Sequence, residues 1–75
     1  MNYTNSQIKA VIDKYIHSER DRQILSRRFI DGIPYERIAE ELDMSTRQIM
    51  NICYKGKDVL FAELSKMNNG EEKQN

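Results

Sequence analysis

The stretch from Tyr35 to Tyr54 constrains this chain more than any other. It carries two apolar stripes of helical period, Ile38, Ala39 and Leu42 in the first and Ile49, Ile52 and Cys53 in the second, with only Asp43, Met44 and Ser45 between them. Residues three and four apart share one face of a helix, so each half of the stretch has one side to bury. Two short helices on so tight a turn cross steeply, and each covers the other's stripe.

The details of the spacing narrow the geometry further. Counting Tyr35 as the first position, the fourth, eighth, tenth, fifteenth and eighteenth are Ile38, Leu42, Met44, Ile49 and Ile52, all apolar, as a small core between the two helices requires. The fifth is Ala39, and a larger side chain there would hold the helices apart. The ninth sits where the turn needs a positive φ; it is Asp43 rather than glycine, and aspartate enters that region at a cost of up to about 1 to 2 kcal/mol. Ser45 is a strong N-cap for the helix that follows. This is the helix-turn-helix pattern, in which the second helix is presented to the major groove of DNA.

Upstream, Ile8, Val11, Ile12, Tyr15 and Ile16 lie on one stripe of a first helix, which the capping-box spacing of Thr4 and Gln7 starts just after Thr4 and which ends near His17. Ser18 caps a second helix, Glu19 to Ile30, with Ile24, Leu25 and Phe29 inward and Arg20, Arg22, Arg27 and Arg28 toward solvent; Gly32 stops it. Pro34 fits the first turn of a third helix, where its missing amide hydrogen is harmless. The fourth helix is the longest, with Ile49, Ile52, Cys53, Gly56, Leu60, Leu64 and Met67 in one stripe. Gly56 on that buried side predicts a close helix crossing or a kink. Residues 68–75 are polar and predict a disordered tail. The expected fold is therefore all-α: one four-helix domain over residues 1–67 whose last two helices form the helix-turn-helix. At 75 residues such a domain buries only roughly 60% of the surface its unfolded chain exposes, so every core side chain matters.

Composition removes several classes of function. One cysteine, Cys53, forms no internal disulfide, and with the one histidine, His17, it leaves too few soft ligands for a zinc site; no metal or cofactor is expected. No apolar run approaches the roughly 20 residues of a membrane helix, which predicts a cytoplasmic protein with no membrane partner. There is no glycine-rich phosphate loop, no His-Glu-x-x-His and no histidine near a nucleophile, so enzyme chemistry has no constellation to stand on. Twelve basic and twelve acidic residues balance to a formal net charge of zero, so any case for nucleic acid rests on local charge.

Glu19-Arg20-Asp21-Arg22-Gln23-Ile24-Leu25, then Arg28-Phe29-Ile30-Asp31-Gly32, then Tyr35-Glu36-Arg37-Ile38-Ala39-Glu40-Glu41-Leu42 and Ser45-Thr46-Arg47-Gln48-Ile49 together resemble region 4 of sigma-70-type factors. They are similar also to small phage and mobile-element transcription regulators that carry this domain alone. The resemblance covers roughly Ile8 to Leu64. It implies a domain that reads promoter DNA and docks on RNA polymerase; the promoter-melting region 2 has no counterpart here, so the chain is not expected to be a complete sigma factor. It also implies base contacts by Thr46, Arg47, Met50 and Asn51, with Gln48 and Lys55 nearer the phosphates.

Helical geometry supports the same face independently. Turning 100° per residue from Ile49 places Arg47, Met50, Asn51 and Tyr54 outward. Arginine can bond guanine and asparagine adenine bidentately, and methionine can lie against a thymine methyl. The amides at the Ser45 end add an anion site; Arg28 and Arg37 are expected among the DNA-binding residues, and Arg27 and Arg28 either touch the DNA backbone or form surface salt bridges to Asp31 or Glu36. Residues 45 to 57 carry a net +3 with no acid and residues 20 to 34 a net +2, whereas residues 35 to 44 carry −3 and residues 58 to 75 carry −2. Binding of modest strength follows, helped by a partner or a second copy. The competing function is a protein-binding module that docks on RNA polymerase or another assembly without reading DNA. Met50, Tyr54 and Phe61 form an outward apolar strip suited to such a contact. Leu60, Leu64 and Met67 either make a homodimer contact or fold back on Ile8, Val11 and Ile12, and the second is expected.

Overall fold

A computed structural model of the chain describes residues 3–73, with side chains through Met67. The order is α1 (Asn5–Tyr15), α2 (Glu19–Phe29), α3 (Tyr35–Leu42) and α4 (Thr46–Lys73), with no strand among the described residues. Each boundary has a local cause. Thr4 and Gln7 form the reciprocal capping box, Gln7 N–H donating to Thr4 Oγ1 at 3.1 Å and Thr4 N–H to Gln7 Oε1 at 2.9 Å. The Ser18 hydroxyl accepts from the Asp21 amide at 3.3 Å. After α2 the chain turns at Gly32, whose φ of 72° is open to glycine and strained for most other residues. Pro34 sits one position earlier than expected, as the N-cap of α3, where it offers no side-chain acceptor.

Between α3 and α4 the backbone does what the helix-turn-helix spacing demands. Asp43 is left-handed, at φ 54° and ψ 48°, and is the only positive-φ non-glycine residue among those described. That reversal lets the Met44 amide reach back to the Ala39 carbonyl at 2.9 Å, closing the end of α3 before α4 begins.

The core is one cluster drawn from all four helices: Val11 and Ile12, Ile24 and Leu25, Ile38 and Ala39, and Ile49, Cys53, Leu60 and Leu64. Leu42, Met44 and Ile52 are partly buried against it, so every apolar position of the helix-turn-helix pattern is used. Leu60 and Leu64 pack within the chain's own core. Met67, expected in the same stripe, is 41% exposed, because α4 has by then run past the side chains that could cover it and it only edges a groove with Ala10, Val11 and Tyr15. The backbone of α4 continues to Lys73, about 42 Å of helix. The expected tail of 68–75 falls on residues whose side chains, and for 74–75 whose backbone, lie outside the described residues.

Gly56 marks a close crossing, and α4 passes through it unbroken. A Cβ built there would lie 2.5 Å from Leu25 Cδ2, 2.7 Å from Cδ1 and 3.1 Å from Cγ. Leu25 is itself 1% exposed, and an added methyl has to displace the end of its side chain. Gly56→Ala gains up to about 1 kcal/mol in helix propensity but overpacks a core contact, which typically costs about 1 to 3 kcal/mol. The net outcome expected in denaturant unfolding is a destabilised protein. Asp43→Gly, which relieves the left-handed turn without touching the core, is expected to raise stability by up to about 1 kcal/mol in the same measurement.

Candidate nucleic-acid interface

The start of α4 is held in place by its own sequence. Gln48 N–H donates to Ser45 Oγ at 3.1 Å and Ser45 N–H donates to Gln48 Oε1 at 3.0 Å, a second capping box. Both residues, expected near DNA, are thus occupied in building the helix end. Ser45-Thr46-Arg47-Gln48 has the same Ser/Thr-x-x-Gln spacing as Thr4 to Gln7, a signal for this role that the sequence reading missed at Gln48. With the Ser45 and Gln48 amides taken, those of Thr46 and Arg47 are the first-turn donors left over for an anion.

From this fixed end the side chains fan out as the 100° step dictates. Arg47, Asn51, Tyr54 and Lys55 are exposed, whereas Thr46 and Met50 are half-buried, so Met50 stands less outward than the sequence suggested. Among the described residues neither Arg47 nor Lys55 has an ion-pair partner. Lys55 turns to one flank, lining a groove with Ile16, Arg20, Asp21 and Val59. Tyr54 turns to the other, where its ring meets that of Tyr35 at 6.4 Å between centroids and 81° between planes.

Of the four arginines of α2 expected toward solvent, Arg20 is exposed, 3.3 Å from Asp21, whereas Arg22, Arg27 and Arg28 are half-buried and engaged within the protein. Arg22 Nε donates to the Ile16 carbonyl at 2.6 Å and its Nη2 to the His17 carbonyl at 3.4 Å, tying the end of α1 to α2. Arg27 grips Glu41 through two hydrogen bonds and Asp31 through a third at 3.2 Å, linking α2 to α3. That grip raises the Arg27 pKa and, chiefly through the hydrogen bond from Arg27, holds the Glu41 carboxyl below the usual carboxylate range. Asp31, four residues on, is a partner visible in the sequence; Glu41, fourteen residues away, becomes one only when α3 folds back. Arg28 lies over the Tyr35 ring, Cζ 4.1 Å from the centroid, and donates to the Ile33 carbonyl at 3.2 Å. Arg37 is exposed on α3, where its charge adds to the lowering of Glu41.

Burial pushes the Cys53 thiol up, which suits a packing residue and opposes thiolate chemistry. No group of three potential metal ligands occurs among the described residues, and no described helix is long and apolar enough to cross a membrane.

A short helix, a left-handed turn and a capped helix whose outer face carries unpaired basic and amide groups define a helix-turn-helix domain. The family model for Sigma-70, region 4 matches residues 18–60, more than half of the chain, and the chain belongs to that family of DNA-binding helix-turn-helix domains. Comparison with curated proteins and with solved structures gives no significant match.

If Gln48 is a cap rather than a reader, Gln48→Ala is expected to lower stability by roughly 0.5 to 1 kcal/mol in thermal unfolding of the free protein. An unchanged melting curve would return Gln48 to the side chains free to meet DNA.

Proposed function

We propose that this protein is a sequence-specific, double-stranded DNA-binding transcription regulator that inserts the first three turns of α4 into a major groove. The observation that carries the reading is the pair Arg47 and Asn51: exposed, one helical turn apart, and mounted on a helix end whose position two capping bonds and the Asp43 turn have already set. Preorganised side chains give up little freedom on binding, which is where a small interface gains most.

In this reading Arg47 bonds guanine and Asn51 adenine, each pair worth about 1 to 3 kcal/mol of discrimination. Thr46, Met50 and Tyr54 contribute apolar and hydroxyl contacts around them. Lys55, the Thr46 and Arg47 amides, and Arg28 and Arg37 from the neighbouring elements face the phosphates. Asp58 is exposed and lies eleven residues from Arg47 and seven from Asn51, hence on the same side of α4; its carboxylate ends the basic stretch and limits the groove-bound part to the beginning of the helix. Because the α2 arginines are largely engaged within the protein, few cations are left to neutralise phosphates, and the non-specific part of the affinity is correspondingly small.

A second reading keeps the fold but uses it to dock on RNA polymerase or another protein. It draws on Phe61, 52% exposed on α4 with Lys57 Nζ 6.0 Å from its ring centroid. With Leu60 and Leu64 inside the monomer, a contact with a second copy would also fall on Phe61.

Selection of bound duplexes from a random pool at low salt separates the two. A motif enriched by the parent and lost by Arg47→Ala and by Asn51→Ala, with each variant folded, is the result expected. No enrichment by the folded parent would leave the docking module as the function, and loss of a partner on Phe61→Ser would locate its contact.

A further inference from the structure

We propose that Tyr35 is a positioning residue for DNA reading: its ring holds the Arg28 guanidinium on its face and meets the Tyr54 ring at a right angle, and so sets where both groups stand beside the reading helix. The proposal rests on the DNA-reading role of α4 and adds to it a residue that does not itself face the groove.

Three elements converge here. Tyr35 is the first residue of α3, half-buried, and packed against the core, so its ring is anchored from below. Arg28 comes from the last turn of α2; its Cζ lies 4.1 Å from the Tyr35 centroid, and one N–H is spent on the Ile33 carbonyl at 3.2 Å. A planar guanidinium stacked on a ring and tethered at one nitrogen has its remaining donors aimed in fixed directions, which a lysine ammonium could not reproduce. Tyr54 comes from α4 and is 48% exposed; the edge-to-face contact at 6.4 Å and 81° is the one ring contact it makes among the described residues. Without that contact its χ1 would be free to choose among staggered wells pointing to different parts of the groove. Neither Arg28 nor Tyr54 is placed by a salt bridge among the described residues, so the Tyr35 ring is the group their two positions share.

The test compares the parent with Tyr35→Phe, which keeps the ring, and Tyr35→Leu, which keeps apolar bulk but no face; Tyr35→Met replaces the latter if it does not fold. Two quantities are read. In the free protein, the ring proton shifts of Tyr54 by NMR are expected to move in Tyr35→Leu and to stay in Tyr35→Phe. With the duplex selected by the parent and a scrambled duplex of equal length, Tyr35→Phe is expected to keep the parent's ratio of affinities. Tyr35→Leu is expected to lose about tenfold of that ratio, a single base-contact's worth. Unmoved Tyr54 shifts, or a folded Tyr35→Leu as selective as a selective parent, overturn the positioning role alone. A parent that selects no duplex overturns the reading of DNA, and the role of Tyr35 in it falls at the same time.

Discussion

All the other helices of this domain are packed on α4, and at Gly56 the missing Cβ lets Leu25 lie against the helix backbone. The absence of a Cβ at one position brings α2 to α4, and from that approach the rest of the packing follows. Ile49, Cys53, Leu60 and Leu64 of α4 share one core with Val11 and Ile12 of α1, Ile24 and Leu25 of α2 and Ile38 and Ala39 of α3, while Arg47 and Asn51 at the helix start stay exposed. A domain of this size has a single core layer, so a displaced α2 would have no second layer to compensate.

The same helix therefore serves as structural spine and as presented surface, and the two uses divide it by face rather than by length. Around its axis, Ile49, Cys53, Gly56 and Leu60 look inward, while Arg47 and Asn51 look out. Charge is divided in a related way. Arg22 and Arg27 close the α1–α2 and α2–α3 junctions, and Arg28 is stacked on Tyr35. The cationic heads of Arg22 and Arg27 stabilise the frame through hydrogen bonds rather than extending the basic surface. Among the described residues Arg47 and Lys55 on α4 and Arg37 on α3 have no ion-pair partner, so a chain of zero net charge still carries local positive charge at the start of α4 and beside it.

Much of this is legible in the order of residues because it depends on neighbours along the chain. Helix caps at Thr4, Ser18 and Ser45, the left-handed Asp43 and the stripe from Ile49 to Leu64 are local or periodic features, and all four helices follow from them. The Ser45–Gln48 box is equally local, but Gln48 also matches a family contact position, and that second role masks the first. The stripe misleads at Met67, since periodicity says which side a residue shares with Leu60 and Leu64 but not how far the covering helix reaches.

Sequence alone determined the helices, their capped ends, the forced turn between α3 and α4 and the face on which Arg47 and Asn51 stand, because each is set by hydrogen bonds or side-chain periods spanning four residues or so. Tertiary structure decided which arginines are available. Arg27 found Glu41 and Arg28 found Tyr35 only after α3 had folded back on α2, and Tyr54 met Tyr35 only after α4 had crossed α3. Those pairings join residues from seven to nineteen positions apart, and no local rule of spacing brings such groups together; the crossing angles of packed helices do.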